Sequence, residues 1–276
     1  MNKPFIYIGA LRRTGSTMLC EALTQLPHSL VFNEPNLSSR NFIVRANEAA
    51  LLESTGIDLQ RFVKRWSRGR RQLLLYGFRK RLVPRISRHI AQVGVKEIFH
   101  SNWRRLVEGF PDTRIVLSAR DPRDIYLSLR GRYMTGAAIW HGDFTPRNVA
   151  QSLNSEFVYQ QEMARRHNAL KVRYEDLCLR PASIQQVLKF VESDITAISE
   201  LGDFLRADAQ RVAEGQLHGG QITDKRVARW RHESDKLANE AQQVFDSMKD
   251  YCEFWNYSQE GPLELGESLS QNLLAT

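Results

Sequence analysis

The sequence predicts an α/β domain: a central parallel sheet of about five strands, flanked by helices and carrying helical insertions. Three observations predict it. Short apolar runs without polar alternation recur along the chain, as expected of strands buried on both faces. Helical stretches separate these runs, the pattern of a parallel sheet covered by helices. The first run also passes directly into a glycine-containing polar loop and a helix. That arrangement turns backbone N–H groups and a helix N-terminus toward an anion.

The strands are expected at 5–9, 30–33, 92–96, 114–118 and 170–173. Helices are expected at 16–25, 39–54, 59–68, 80–91, 103–108, 122–132, 146–166, 184–191, 197–213 and 234–251. Pro122 follows Asp121, a pair suited to the first turn of a helix. Gly215, Gly219 and Gly220 mark a mobile loop before the last helix. Beyond Tyr257 the chain turns polar and aperiodic. The simplest division is one domain over 1–257 and a flexible tail over 258–276.

At 276 residues, 42% hydrophobic and 25% charged, the composition is that of a globular protein with a sizeable core. No run of about 18 apolar residues suggests a membrane span. The chain enters its first strand at once, so no signal peptide is expected. Cys20, Cys178 and Cys252 have no metal spacing and fit a reducing compartment, so a cytoplasmic location is expected. The net charge of +8 is unevenly spread: residues 61–105 hold fourteen Lys/Arg and one acid, Glu97. Either this is a surface for an anionic partner, or Arg61, Lys64, Arg65, Arg68, Arg70 and Arg71 form a solvated helix face. No nucleic-acid module accompanies the run.

The loop after the first strand reads Gly9-Ala-Leu-Arg-Arg-Thr-Gly-Ser-Thr17. It is P-loop-like but not the ATP-type loop, which needs Gly, four residues, then Gly-Lys-Ser/Thr. Here five residues separate Gly9 from Gly15, and Ser16 stands where lysine would be. Arg12 and Arg13 bring the cations, with forked donors suited to phosphate or sulfonate oxygens. Gly15 admits an anion close to the backbone, and Thr14, Ser16 and Thr17 add hydroxyls. The alternative is a purely structural helix cap.

A second motif, Arg114 to Arg130, places a strand end at Arg120 and Ser128 two turns into the next helix. Residues beyond the carboxyl ends of parallel strands line the ligand crevice. Arg120 and Ser128 can therefore pinch one phosphate. The alternative has Arg120 pairing with Asp121 or Asp124 while Ser128 packs.

Together these segments resemble the sulfotransferase family that uses 3′-phosphoadenosine 5′-phosphosulfate (PAPS). Residues 13–17 look like its 5′-phosphosulfate loop, and Arg120 with Ser128 looks like its 3′-phosphate site. Val172-Arg-Tyr-Glu-Asp-Leu177 is similar to a recurrent family segment whose tyrosine, here Tyr174, lies near the adenine. Lys225-Arg-Val-Ala-Arg-Trp-Arg231 resembles the late basic segment that closes over the nucleotide with its tryptophan, here Trp230. Tyr174 could instead start a helix, and Trp230 could be a packing residue. Two departures stand out. Cytosolic members often carry lysine at the Arg13 position, and Ala228 replaces a glycine, leaving open which of Lys225, Arg226 and Arg229 meets the 3′-phosphate. The pattern is closer to bacterial or Golgi-type carbohydrate members than to phenol-type ones.

The resemblance implies in-line sulfuryl transfer from PAPS to an acceptor hydroxyl or amine, without a metal and with 3′-phosphoadenosine 5′-phosphate (PAP) as product. It implies a base after the second strand, which is Glu34, and a lysine at the third strand end, which is Lys96. Glu34 could instead cap a turn or pair with Arg40 or Arg13. Glu97 and His100 are the other bases in reach. The insertions at 36–91 and 133–168 are expected to wall the acceptor: a glycan, lipid, small metabolite or carrier-bound substrate. A P-loop kinase or NTPase, and a non-catalytic binder of acidic partners, are the competing functions.

Overall fold

The computed structural model describes residues 3–37, 42–66, 71–136, 140, 142–180, 182–195 and 227–262. All five expected strands are present: β1 (Phe5–Ala10), β2 (Ser29–Asn33), β3 (Gln92–Glu97), β4 (Thr113–Ala119) and β5 (Leu170–Arg173). They form one parallel sheet in the order β2-β3-β1-β4-β5. Tyr7 at the centre stands opposite Val95 on one side and Ile115 on the other.

Alternating strand residues enter two cores, which explains the uninterrupted apolar runs. Phe5, Tyr7, Phe32, Val95 and Leu117 join the larger core. Ile6, Ile8, Val31 and Val116 join the smaller one. The smaller core is covered by α1 (Ser16–Ala22) and, later in the chain, α9 (Tyr174–Leu179) and α10 (Ser183–Phe190), through Leu19, Leu177, Ile184 and Val187.

The insertion between β2 and β3 differs most from expectation. Its first helix, α2 (Ala46–Glu53), starts later than 39, because Phe42 lies buried among Phe32, Phe62 and Phe78 and Arg45 is extended. After α3 (Leu59–Trp66), the helix expected at 80–91 begins earlier and ends at Ile86. It runs as α4 (Arg71–Gly77), a π-helical turn (Phe78–Leu82) and α5 (Val83–Ile86). Pro84 accounts for the widened turn: it has no N–H to donate, and its ring crowds the carbonyl four residues back.

The larger core is closed by α6 (Trp103–Val107), α7 (Pro122–Met134), α8 (Pro146–Arg166), α11 (Asp235–Asp246) and α12 (Lys249–Trp255). Asp121 and Thr145 cap α7 and α8 by accepting from Arg123 N and Asn148 N, each ahead of a proline. The helix expected at 234–251 breaks between α11 and α12. The helix expected at 197–213 and the loop of Gly215, Gly219 and Gly220 lie outside the described residues. Just past Tyr257, Tyr257–Ser258 pairs with Gly261–Pro262, and Arg123 donates to Ser258 O and Gln259 O. No helix among the described residues is long and apolar enough to cross a membrane.

Candidate active site

Because the strands are parallel, their carboxyl ends share one edge of the sheet, where ligands of such folds bind. The strand order sets the order of side chains along it. Glu34 follows β2, Lys96 lies at the end of β3, the loop 11–15 follows β1, Arg120 follows β4 and Tyr174 follows β5.

The loop after β1 is tightly wound. Arg13 and Gly15 both adopt left-handed backbone, at φ 66° and 73°. Glycine is required at 15 for a second reason: a Cβ there would lie 2.2 Å from Tyr174 Cδ2. The buried Thr14 hydroxyl donates to Leu11 O at 2.9 Å, and Ser118 Oγ donates to Thr14 O at 3.1 Å. Thr14 thus folds the loop, whereas Ser16 and Thr17 open α1. The two arginines diverge. Arg12 lies over Phe99 and Trp140, 4.9 and 5.9 Å from the ring centroids, and burial lowers its pKa. Arg13 Nε donates to Ser128 Oγ at 2.9 Å.

Arg120 is buried, with its guanidinium 4.5 Å from the Tyr174 ring centroid and 3.6 Å from Asp124 Oδ2. Of the two acids near it in sequence, Asp124 is the partner. Asp121 is held by Arg123 in a buried two-pronged pair of 3.0 and 2.7 Å. Burial pushes the Asp124 carboxyl up to about 6, against the pull of Arg120. Tyr251 fixes the strand end: its hydroxyl accepts from Arg120 N and donates to Arg120 O.

At the other end, the buried Lys96 ammonium donates to Glu34 Oε1 and lies 3.5 Å from Thr17 Oγ1. Arg45 Nη2 stands 3.6 Å from Glu34 Oε2. Glu34 adopts φ 55°, and its N–H donates to Lys96 O at 2.7 Å. A buried ammonium needs such a partner, since an uncompensated charge there is costly.

The other two bases considered face inward. Glu97 accepts from Leu37 N at 2.8 Å, and burial pushes its carboxyl up to about 8. Burial lowers His100 to about 4, so its ring is neutral. Nε2–H then donates to Ala10 O at 3.1 Å, and Tyr7 OH donates to Nδ1 at 2.9 Å.

In the late segment, Ala228 adopts left-handed backbone at φ 51°, a conformation that favours glycine. Trp230 N–H donates to Asp124 Oδ1 at 3.2 Å. Its ring centroid lies 3.7 Å from the Arg123 guanidinium, which also meets Phe245 at 4.2 Å. Arg229 is exposed and pairs with Glu233 at 2.7 Å. Lys225 and Arg226 lie outside the described residues.

Sequence reasoning missed three supporting residues. Arg45 carries no local signal, since its pairing depends on where α2 docks. Gln160, buried in α8, ties two strand ends by donating to Gly9 O and Ser118 O at 3.0 Å each. Glu175 accepts from Asp121 N at 2.8 Å and from Tyr257 OH at 2.9 Å, and burial raises its carboxyl to about 7. The adjacent acids of Tyr174-Glu-Asp were the available clue.

Comparison with known proteins agrees with this architecture. No curated protein sequence matches the chain. Among solved structures, sulfotransferase STF9 from Mycobacterium avium is 14% identical, with a TM-score of 0.53 over 94% of this chain and 78% of its own. The sulfotransferase domain from the curacin biosynthetic pathway is 17% identical, with a TM-score of 0.55 over 90% and 98%. Mouse sulfotransferase SULT7A1, complexed with PAP, is 10% identical, with a TM-score of 0.50 over 91% and 86%. At such identities these likenesses establish the fold. The model of the sulfotransferase family matches residues 4–197, which carry the loop, Glu34, Lys96, Arg120, Ser128 and Tyr174, and the chain belongs to that family.

Proposed function

We propose that the crevice binds PAPS and transfers its sulfuryl group to an acceptor hydroxyl, with Glu34 as general base. One observation carries this reading: the Lys96 ammonium reaches both Glu34 and Thr17, so a carboxylate and the anion loop meet at one cation. The donor set fits the nucleotide. Arg13, Gly15, Ser16 and Thr17 would hold the 5′-phosphosulfate, assisted by Arg12, while Arg120 and Ser128 would hold the 3′-phosphate. Tyr174 and Trp230 would flank the nucleoside, supported by their attachment to Gly15, Arg120 and Asp124. Lys225, Arg226 or Arg229 would close over it. PAP in the mouse neighbour supports the same choice.

When bound, PAPS supplies an activated sulfuryl group whose leaving group is PAP. Glu34 takes the acceptor O–H proton as the acceptor oxygen bonds to sulfur and the bond to the phosphate oxygen breaks. Such base assistance is worth roughly 10²–10⁴-fold. Lys96 and Arg13 are fixed donors aimed at charge that develops in transfer, an effect strongest where water is excluded. The three cysteines are free and buried, which supports a reducing, cytoplasmic setting.

The test is calorimetric titration with PAP in EDTA, with ATP plus magnesium as the comparison. Tight binding of PAP without metal is expected. A preference for magnesium-ATP overturns the donor assignment, and binding of neither moves the protein out of the nucleotide-dependent class.

A further inference from the structure

Part of the basic run 61–105 lines a concave surface. The 56–58 turn and α3 face the π-helical turn and α5 across a cleft of about 730 Å³. Six cations line it, Arg61, Arg65, Lys80, Arg81, Arg85 and Arg88, all exposed, against one acid, Asp58. Asp58 is already engaged, accepting from Arg61 N at 2.8 Å to cap α3. None of the six cations makes an ion pair among the described residues. A solvated helix face is convex and belongs to one helix. Here α3 on one side and the π-helical turn with α5 on the other converge like charges on one hollow.

The same cleft has an apolar component. Phe62 and Trp66 line it, half-buried. Phe62 packs edge-on against Phe42 at 5.9 Å. The Trp66 ring lies so close to Gly77 that a Cβ there would sit 2.6 Å from it. Arg85 Nη2 braces the opposite wall through Gly56 O at 3.2 Å.

We propose that this cleft is a second anion site, which binds a segment of sulfated glycan. Guanidinium forks match sulfate and carboxylate oxygens in pairs. Aromatic faces pack against the C–H faces of sugar rings. The volume falls in the range of sites that enclose a small ligand, about 300–1,000 Å³. A flat bilayer reaches only the rim of such a hollow, and a nucleic-acid duplex is too wide to enter it. None of the lining residues belongs to the nucleotide crevice, so the site stands independently of the donor assignment.

The experiment titrates the full chain with a sulfated heparin tetrasaccharide and with its desulfated counterpart, by calorimetry. The comparison is Arg65→Glu/Arg88→Glu, two exposed positions, with folding checked by thermal melting and PAP binding measured in parallel. The sulfated probe should bind, lose at least about tenfold in affinity between about 0.05 and 0.5 M salt, and bind the variant at least about tenfold more weakly. The desulfated probe should bind far less, and PAP affinity should not move. Equal binding to wild type and variant, or no binding to wild type, overturns the proposal. So does tighter cleft-dependent binding of anionic phosphatidylglycerol vesicles or a short DNA duplex. Tetrasaccharide binding without PAP binding would overturn only the donor assignment.

Discussion

Arg13 Nε donates a 2.9 Å hydrogen bond to Ser128 Oγ, joining the loop after β1 to the helix after β4. The family resemblance assigns these residues to opposite ends of the nucleotide, the 5′-phosphosulfate and the 3′-phosphate. In the folded chain they form one unit, so a change at either is felt at both.

Ser128→Ala should therefore weaken binding of PAP and also of adenosine 5′-phosphosulfate, which has no 3′-phosphate. Loss of a hydrogen bond to a charged donor is worth about 1.5–3 kcal/mol, or roughly tenfold or more in affinity. Calorimetry with both ligands decides it. An unchanged affinity for adenosine 5′-phosphosulfate would confine Ser128 to the 3′-phosphate.

Glu34→Gln should keep nucleotide binding and lose roughly 10²–10⁴-fold in turnover. Because Glu34 compensates the buried Lys96, the variant should also melt earlier. Adding Lys96→Met should recover the melting temperature but not the turnover. Full activity in Glu34→Gln would remove Glu34 from the chemistry.

Gly15→Ala should destabilise the fold for two separable reasons. Left-handed backbone costs a non-glycine residue about 1–2 kcal/mol, and the new Cβ collides with the Tyr174 ring. Tyr174→Ala in the Gly15→Ala background should relieve the collision and leave the backbone cost. Thermal melting of the single and double variants separates the two, at about 2–4 °C per kcal/mol for a chain of this order of size.

Glu97 and His100 give stability opposite pH dependences. The Glu97 carboxyl is raised to about 8 when folded, so its contribution is full below about 4.5 and is lost as pH rises through 8. His100 is lowered to about 4, so its contribution is full above about 6.5 and is lost as pH falls through 4. The two slopes oppose each other between about 4.5 and 6.5, and above that range only Glu97 still acts. Glu97→Gln should flatten the stability profile between about 6.5 and 8, and His100→Gln should flatten the acid limb. Melting temperature against pH reads both, and parallel profiles for variant and wild type would contradict the assignment.

Strand positions were legible because burial on both faces writes itself into local composition. Four of the five strands differ from expectation by one or two residues, and β5 matches at both ends. The places of the loop after β1, of Arg120 and of Glu34 and Lys96 at the strand ends were legible because each stands at a fixed offset from a strand. Helix limits in the first insertion were not, because Phe42 is drawn into the core by rings far away in sequence, and Pro84 widens a helical turn instead of ending the run.

Local order, strand identity and the chemical types along the crevice rest on the amino-acid sequence, because they depend on neighbours within a turn or a strand. Strand order, and with it the meeting of Glu34 with Lys96 and of Arg13 with Ser128, came only with the tertiary structure. So did the placing of Arg61 and Arg65 of α3 opposite Arg85 of α5 across one cleft. Such contacts join residues tens of positions apart, and burial then fixes which charge must find which partner.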